Sequence, residues 1–353
     1  MLPADLARGA QVFARALREV LDGRPDEHLT LSLFASEAAH LRPDVALGLG
    51  DGRARRLGFD PRAGLALRRA LRAMAPDVVV AHGGEALKYA VVARPRGSAL
   101  VYKKTGSSVE SLGGRMRRAL YRRLAAQADL TAAVAEEAVT EARHLLRLPE
   151  DRVMLAPNGR DPSRFRPRQA RGVGVAPRLV FLGRLTSGKR PDWFLDAVRR
   201  LRERGSQVEG VIVGDGPLTE ALAPLATEAG VEMLGRRDDI PEILADADVF
   251  VFTGVSEGEG MPGVLIEAGL AGLPAVTTAV SGAGTVIVHG VTGLVVPVDD
   301  LDALVDALHQ LVIDSRLRGR MGAAARQRCL EHFTLDASAA HWQELFDRVL
   351  ERR

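Results

Sequence analysis

The sequence is poor in cysteine and aromatic residues, and each shortage excludes a class of protein. The single cysteine, Cys329, cannot form an internal disulfide framework and is typical of a reducing compartment. Aromatic residues make up only 4% of the chain and no cluster has metal-ligand spacing, so we predict neither nucleic-acid binding nor a metal site. No apolar run approaches the ~20 residues of a membrane span. We therefore expect a cytoplasmic protein.

Two common nucleotide-binding signatures are also missing. Residues 183–189, GRLTSGK, lack the GxxxxGK[ST] spacing of a Walker A loop. The glycines at 48–52 and 214–216 do not complete a GxGxxG turn at the start of a βαβ unit, which excludes a nicotinamide site. We predict that the protein carries no cofactor.

Short apolar runs alternate with amphipathic helical patterns along most of the chain. Runs such as DVVVAHG at 77–83 and DVFVFTG at 248–254 are apolar on both faces, which indicates parallel strands covered by helices and hence an α/β fold. Two such series predict two doubly wound, Rossmann-like domains. The boundary between them lies near Pro157, in a stretch that is dense in proline, glycine and arginine. We predict an N-terminal domain over 1–156, a second domain over 157–335 and a C-terminal helix over 336–353 that packs back on the N-terminal domain.

Positive charge is concentrated in the first half of the chain. Residues 1–155 carry a net charge of +7 and the remainder −4. Five arginines form a basic face on one predicted helix: Arg115, Arg117, Arg118, Arg122 and Arg123. This face is either exposed to solvent or in contact with an anionic lipid or an anionic acceptor. Contact with anionic lipid would place the protein peripherally at the inner membrane face.

The most informative segment is SEGEGMPGVLIEAGLAGLPAVTT, at 256–278. Seven residues separate Glu259 from Glu267, across a Gly/Pro turn that opens a helix. Helix N-termini attract anions, so two carboxylates so placed can hold sugar-like hydroxyls beside a bound phosphate. Upstream, Arg184 and Lys189 combine a guanidinium fork with a compact ammonium, which suits a diphosphate. The sequence therefore predicts a nucleotide-sugar site.

Ligands of open parallel sheets bind beyond the carboxyl ends of the strands. His82, Arg184 and Gly214 each follow an apolar run directly. We therefore expect the site in a central cleft between two facing sheets.

Together with PNGRDPSRF at 157–165, VIVGDGP at 211–217 and HGVTGLVVP at 289–297, these segments resemble the retaining family 4 glycosyltransferases, which have the two-domain GT-B fold. The resemblance spans about residues 8–350. It implies a metal-independent hexosyltransferase of cell-envelope or polysaccharide biosynthesis. Such an enzyme moves a hexose from a nucleoside diphosphate sugar to a hydroxyl of a glycan, lipid or small molecule. Two alternatives remain open: a nucleotide-sugar hydrolase or epimerase on the same fold, and a non-catalytic nucleotide-sugar-binding paralogue.

The resemblance also implies roles for individual residues. Arg184 and Lys189 would stabilise the departing diphosphate, Glu267 would hold the ribose and Glu259 the hydroxyls of the transferred sugar. His82 is a further catalytic candidate. Backbone N–H groups of residues 262–265 would bind sugar and phosphate. The full donor-binding set is Arg184, Lys189, Gly214, Gly260, Met261, Pro262, Gly263, Val264, Leu265 and Glu267.

The chain departs from the family pattern at three places. The first strand and its Gly-rich loop are missing apart from a remnant at 1–3, so we expect the first sheet to lack an inner strand, which favours the non-catalytic alternative. Lys104 and Thr105 stand where many relatives carry a His near the sugar. Thr285 stands where a carboxylate is common, which would alter base or sugar preference.

Overall fold

The computed structural model describes residues 1–4, 9–21, 27–34, 43–49, 58–106, 114–168, 174–255 and 260–352. The chain divides into an N-terminal unit, Met1–Gly159 with Leu335–Arg353, and a C-terminal unit, Arg160–Thr334. The first boundary lies three residues later than the sequence predicts, and the second lies one residue earlier. Among the described helices, none combines the length and apolarity needed to cross a membrane.

The N-terminal unit is a layer of parallel strands covered by helices. Its strands are β1 (Leu2–Ala4), β2 (Leu31–Phe34), β3 (Val45–Leu49), β4 (Val78–His82), β5 (Ala99–Lys104), β6 (Leu130–Ala133) and β7 (Val153–Leu155). Its helices are α1 (Gly9–Leu21), α2 (Pro61–Met74), α3 (Gly83–Ala93), α4 (Arg115–Ala125), α5 (Glu136–His144) and, last in the chain, α13 (Leu335–Glu351).

Strand β1 occupies the inner position that we expected to be empty. It pairs in parallel with β2 through Leu2 and Ala4. On the side facing β4, the Met1 nitrogen donates to the Val80 carbonyl at 2.8 Å, and the His82 N–H donates to the Met1 carbonyl at 3.1 Å. The strands therefore lie in the order β3-β2-β1-β4-β5-β6-β7.

The expectation of a missing strand is thus wrong. A three-residue strand is too short to register as an apolar run in the sequence, but its backbone groups suffice to bond both neighbours. The non-catalytic alternative loses the observation that favoured it.

Helix α13 supplies a large part of the core of the N-terminal unit. Trp342 is 1% exposed and packs against Phe346, with ring centres 5.7 Å apart. The Ser338 hydroxyl donates to the Pro157 carbonyl at 2.8 Å. The C-terminal segment is therefore integral to this unit, where the sequence predicts that the last helix packs.

The C-terminal unit repeats the parallel-sheet arrangement. Its strands are β8 (Arg178–Leu182), β9 (Glu209–Val213), β10 (Val231–Met233), β11 (Val249–Phe252), β12 (Ala275–Thr278) and β13 (Gly293–Val296). Its helices are α6 (Pro191–Glu203), α7 (Thr219–Ala229), α8 (Ile240–Ala245), α9 (Gly263–Leu270), α10 (Ala283–Val286), α11 (Leu301–Ile313) and α12 (Ser315–His332). The described strands lie in the order β10-β9-β8-β11-β12-β13, and all pairs are parallel.

Local sequence explains these elements. Strand β11, VFVF, is buried along its whole length, as expected for a central parallel strand. Helix α6 starts with a proline and buries Phe194, Val198 and Leu201 at spacings of three and four. Asp300 and Asp314 cap α11 and α12 by accepting from backbone N–H groups, each at 2.9 Å. The strand order reverses between β8 and β11, and this switch point is where open α/β sheets bind ligands.

Candidate active site

Two loops follow the strands on either side of the switch point, and their backbones are joined. The loop after β8 carries Arg184 and ends in a 3₁₀ turn, Ser187–Lys189. The loop after β11 approaches this turn, and the Val255 N–H donates to the Gly188 carbonyl at 2.9 Å. The two loops therefore share one rigid edge of the sheet.

The Thr253 hydroxyl holds the end of the Ser187–Lys189 turn through two backbone carbonyl groups. The side chain is fully buried, and Oγ1 lies 2.8 Å from the Lys189 carbonyl oxygen and 2.7 Å from that of Arg190. Arg190 has a φ of 44°, a left-handed conformation that non-glycine residues adopt rarely. Its ion pair with Asp299, at 2.5 Å, also holds this conformation. Lys189 therefore projects from a fixed turn.

A third loop, after β9, packs backbone to backbone against the first. Gly214 has a φ of 132°, and a Cβ added there would lie 2.0 Å from the Gly183 carbonyl oxygen. A Cβ on Gly216 would lie 2.4 Å from the Leu185 carbonyl oxygen. Only glycine permits this approach, so the shape of the loop that carries Arg184 depends on the loop after β9.

Arg184 and Lys189 provide positive charge at this edge. The Arg184 side chain is exposed and makes no hydrogen bond or ion pair among the described residues. The Lys189 Nζ lies 4.8 Å from the centre of the Phe252 ring, whose face attracts cations. The structure thus places both predicted cations at the carboxyl end of β8, where a polyanion can meet them.

Helix α9 begins beside these loops with an open N-terminus. Pro262 is its N-cap residue, and no side chain in the described part of the chain caps it. Gly263 and Val264 carry the first N–H groups of the helix, and the Leu265 N–H donates to the Pro262 carbonyl at 3.1 Å. The prediction that Pro262 also supplies an N–H is wrong, because proline has none. An uncapped helix N-terminus favours an anion.

The segment before α9 is held by the loop after β12. Gly260, Met261 and Pro262 are buried, and Gly282 has a φ of 78°. A Cβ on Gly282 would lie 2.3 Å from the Gly260 carbonyl oxygen. Glu259 lies outside the described residues, so its role stays a prediction.

Thr285, the residue that replaces a common carboxylate, lies in α10 and is 5% exposed. Its carbonyl accepts from an Arg328 guanidinium nitrogen at 2.8 Å. Its influence on base or sugar preference stays a prediction.

Glu267 lies one turn after Gly263 on α9 and pairs with a residue that sequence reasoning missed. The Arg160 Nε donates to Glu267 Oε1 at 2.7 Å, and the two side chains are 20% and 19% exposed. The two residues are 107 positions apart, so no local pattern links them. One feature of the sequence could have indicated Arg160: it belongs to PNGRDPSRF, one of the segments that carry the family resemblance.

His82, the catalytic candidate of the N-terminal unit, ends β4 and is 8% exposed. Its ring stacks on Trp342 at 6.4 Å, and its Nδ1 has no hydrogen-bond partner among the described residues. Burial, then the positive charges of the amino terminus and Lys103, lower the pKa of His82 well below its usual value. His82 is therefore neutral at neutral pH, and its catalytic role stays a prediction.

Lys104 is nearly fully buried at the end of β5. Its Nζ donates to Glu141 Oε2 at 2.5 Å and to the Gly106 carbonyl at 2.6 Å. Burial lowers the pKa of Lys104, and the Glu141 carboxylate opposes this effect. The side chain is thus engaged within its own unit, whereas the neighbouring Thr105 is half-buried.

Two family models match the chain. Residues 7–164 match Glycosyltransferase Family 4, and residues 176–314 match Glycosyl transferases group 1. Together they account for most of both units.

Characterised relatives match over part of their length. A GDP-mannose-dependent alpha-(1-6)-phosphatidylinositol monomannoside mannosyltransferase of Mycolicibacterium smegmatis is 32% identical over 56% of this chain and 56% of its own. A UDP-Gal:alpha-D-GlcNAc-diphosphoundecaprenol alpha-1,3-galactosyltransferase of Escherichia coli is 28% identical over 52% of this chain and 51% of its own. The chain thus spans about half the length of these relatives.

Solved structures match over nearly the whole chain. Anabaena HepE in complex with UDP and glucose is 19% identical and has a TM-score of 0.77 over 98% of this chain and 100% of its own. A glycosyltransferase from Rickettsia africae is 14% identical and has a TM-score of 0.81 over 99% of this chain and 97% of its own. These likenesses show the fold, which is GT-B with two Rossmann-like units. Because the two family models together match residues 7–164 and 176–314, most of the sequence, the chain belongs to the group 1, family 4 glycosyltransferases.

Proposed function

We propose that the protein transfers a hexose from a nucleoside diphosphate sugar to a hydroxyl acceptor with retention of anomeric configuration. One observation carries the proposal: β8 and β11 are neighbouring parallel strands, so the loop with Arg184 and Lys189 and the segment that leads to the open N-terminus of α9 leave the same edge of the C-terminal sheet. Glu267 lies one turn into that helix. The names of relatives support it, since the mycobacterial protein is named for GDP-mannose and HepE was solved with UDP and with UDP-glucose.

In the proposed mechanism, the two cations and the first N–H groups of α9 bind the diphosphate. They stabilise the negative charge that develops as the bond to the anomeric carbon breaks and that carbon becomes oxocarbenium-like. Glu267 holds the ribose and Glu259 holds the hexose hydroxyls. The acceptor hydroxyl attacks the anomeric carbon from the face that the diphosphate leaves, and its proton passes to a phosphate oxygen of the departing diphosphate. The reaction needs no metal in this proposal, because two cations neutralise the leaving group.

The first experiment is a binding and product panel on the purified full chain. UDP-glucose, UDP-galactose and GDP-mannose are each tested by thermal shift and calorimetry, and one of them should raise the melting temperature because it binds only the folded state. If none binds while the protein is folded, the proposed function is wrong.

Product analysis then separates the enzymatic alternatives. Incubation with the binding donor alone should leave it intact over the time in which transfer to an added acceptor is complete. Release of free sugar or of an epimer without any acceptor would instead identify a hydrolase or epimerase. Proton NMR of the new linkage reports whether the anomeric configuration is retained.

We further propose that α4 contacts an anionic membrane surface, which would bring the enzyme to a lipid-linked acceptor. The helix contains no acidic residue, and its arginines are accompanied by Met116, which is 89% exposed, and Leu120, which is 49% exposed. These two apolar side chains lie one helical turn apart. A basic helix with an exposed apolar stripe is suited to the headgroup region of a bilayer.

Vesicle flotation tests this contact. The full chain should float with vesicles that contain phosphatidylglycerol and remain unbound with pure phosphatidylcholine. Substituting glutamine for four arginines of α4 should weaken binding at least about tenfold, given ~1 kcal/mol per basic residue near the surface. The variant changes Arg115, Arg117, Arg118 and Arg123. The control makes the same change on α2, at exposed Arg62, Arg68, Arg69 and Arg72. Equal loss in both variants would mean that no specific helix is used.

A further inference from the structure

Arg160 is placed so that its side chain lies against the face of α9 that carries Gly263 and Glu267. Its backbone is fixed at the start of the C-terminal unit, where its N–H donates to the Phe333 carbonyl at 2.9 Å and the residue pairs with Thr334. From this anchored backbone the side chain reaches α9 and bonds Glu267.

Gly263 makes this contact sterically possible. A Cβ added to Gly263 would lie 1.8 Å from an Arg160 Nη atom and 2.8 Å from Cζ. Gly263 and Glu267 are four residues apart and so lie on one face of the helix. The guanidinium therefore lies along that face, over the glycine and against the carboxylate. Any larger side chain at 263 would displace it.

The geometry points to Arg160 as the positioning residue for Glu267, a role that rests on the proposed function. A carboxylate has two oxygens that can accept hydrogen bonds. The Arg160 Nε engages Oε1 at 2.7 Å, which fixes the rotamer of Glu267. Oε2 has no hydrogen-bond donor among the described residues and can accept from a ribose hydroxyl. In the absence of Arg160, Glu267 would have to be ordered at the moment of binding, at a cost in side-chain entropy. Arg160 thus sets the affinity for the ribose part of the donor and not for its phosphates.

The test compares a ligand that contains ribose with one that does not. For the Arg160→Met variant, we expect the Kd for the nucleoside diphosphate to rise about tenfold, the loss expected of one charge-assisted hydrogen bond. The Kd for inorganic pyrophosphate should not change. In turnover, the KM for the donor should rise while kcat changes little, because the chemistry at the anomeric carbon is untouched. Arg160→Lys, which keeps the charge but not the planar fork, should give an intermediate effect.

Three further variants make the result decisive. Gly263→Ala should reproduce the loss by displacing the guanidinium. In a Glu267→Gln background, Arg160→Met should add less than the tenfold loss that it causes alone, since it acts through Glu267. Arg164→Met, at an exposed arginine four residues on, is the control and should bind as wild type does.

Two outcomes overturn the inference. An unchanged nucleoside diphosphate Kd in Arg160→Met would show that Glu267 needs no support. A parallel loss of pyrophosphate binding would show that Arg160 acts on the phosphates directly. Failure of the wild-type protein to bind any nucleoside diphosphate is a different result, because it refutes the proposed function itself.

Discussion

Replacing Lys189 with methionine is expected to lower kcat/KM for sugar transfer by about 10²–10³-fold, the loss typical of removing one group that stabilises transition-state charge. Methionine keeps an unbranched stem beside the Phe252 ring but carries no charge. The turn itself should persist, because the Thr253 hydroxyl holds it through backbone carbonyls. Steady-state kinetics with the donor found by the binding panel measure the effect.

Two controls accompany this variant. Lys189→Arg keeps the positive charge and should retain part of the activity. Arg199→Met removes a cation from the exposed face of α6, where it pairs with Asp196 and Glu203, and should leave kcat/KM near the wild-type value. Melting temperatures of all three variants separate loss of charge from loss of fold. A Lys189→Met enzyme as active and as stable as wild type would remove Lys189 from the mechanism.

Gly214→Ala is expected to have the largest effect on stability, lowering the free energy of unfolding by about 3 kcal/mol or more. Alanine at a φ of 132° is strained, and its Cβ would lie 2.0 Å from the Gly183 carbonyl oxygen. The clashing atom belongs to the backbone at the end of a central strand, so it cannot rotate away. Relief requires the two loops to separate, which would also move Arg184. Urea unfolding followed by circular dichroism measures the loss, and soluble protein should retain weakened donor binding.

The matched control is Gly188→Ala, in the loop that carries both cations. A Cβ at this position meets no atom within 4 Å, so its effect on the free energy of unfolding should stay within about 0.5 kcal/mol. If Gly214→Ala and Gly188→Ala unfolded at the same urea concentration, the backbone approach at Gly214 could not be what shapes the loop.

Much of the fold could be predicted because parallel strands leave a strong local signal. Strand β11 is buried on both faces and therefore reads as an uninterrupted apolar run, VFVF. Loops at strand ends are equally visible, since Gly214 and Gly282 occupy conformations that other residues avoid. The strand at Leu2–Ala4 was missed because its pairing depends on backbone groups of β2 and β4, and three residues carry no periodicity.

The same limit applies to the candidate site. Arg184 and Lys189 could be singled out because they share one short loop, and Glu267 because it shares one segment with Gly263. The Arg160 contact could not be predicted, since its partner is 107 residues away and the glycine that admits it looks like a turn residue. The stacking of His82 on Trp342, a contact between β4 and the last helix, could not be predicted either.

The sequence by itself determined the two parallel-sheet units, the loops at their strand ends and the charged residues those loops carry. These properties follow from hydrophobic periodicity and backbone preference, which act over a few neighbouring residues. Only the tertiary structure decided which groups meet: the side chains of Arg160 and Glu267, the Thr253 hydroxyl and the Lys189 carbonyl, and the backbones of Gly214 and Gly183. Such contacts are fixed by the order and register of strands far apart in the chain, because close packing leaves room for one partner and excludes the rest.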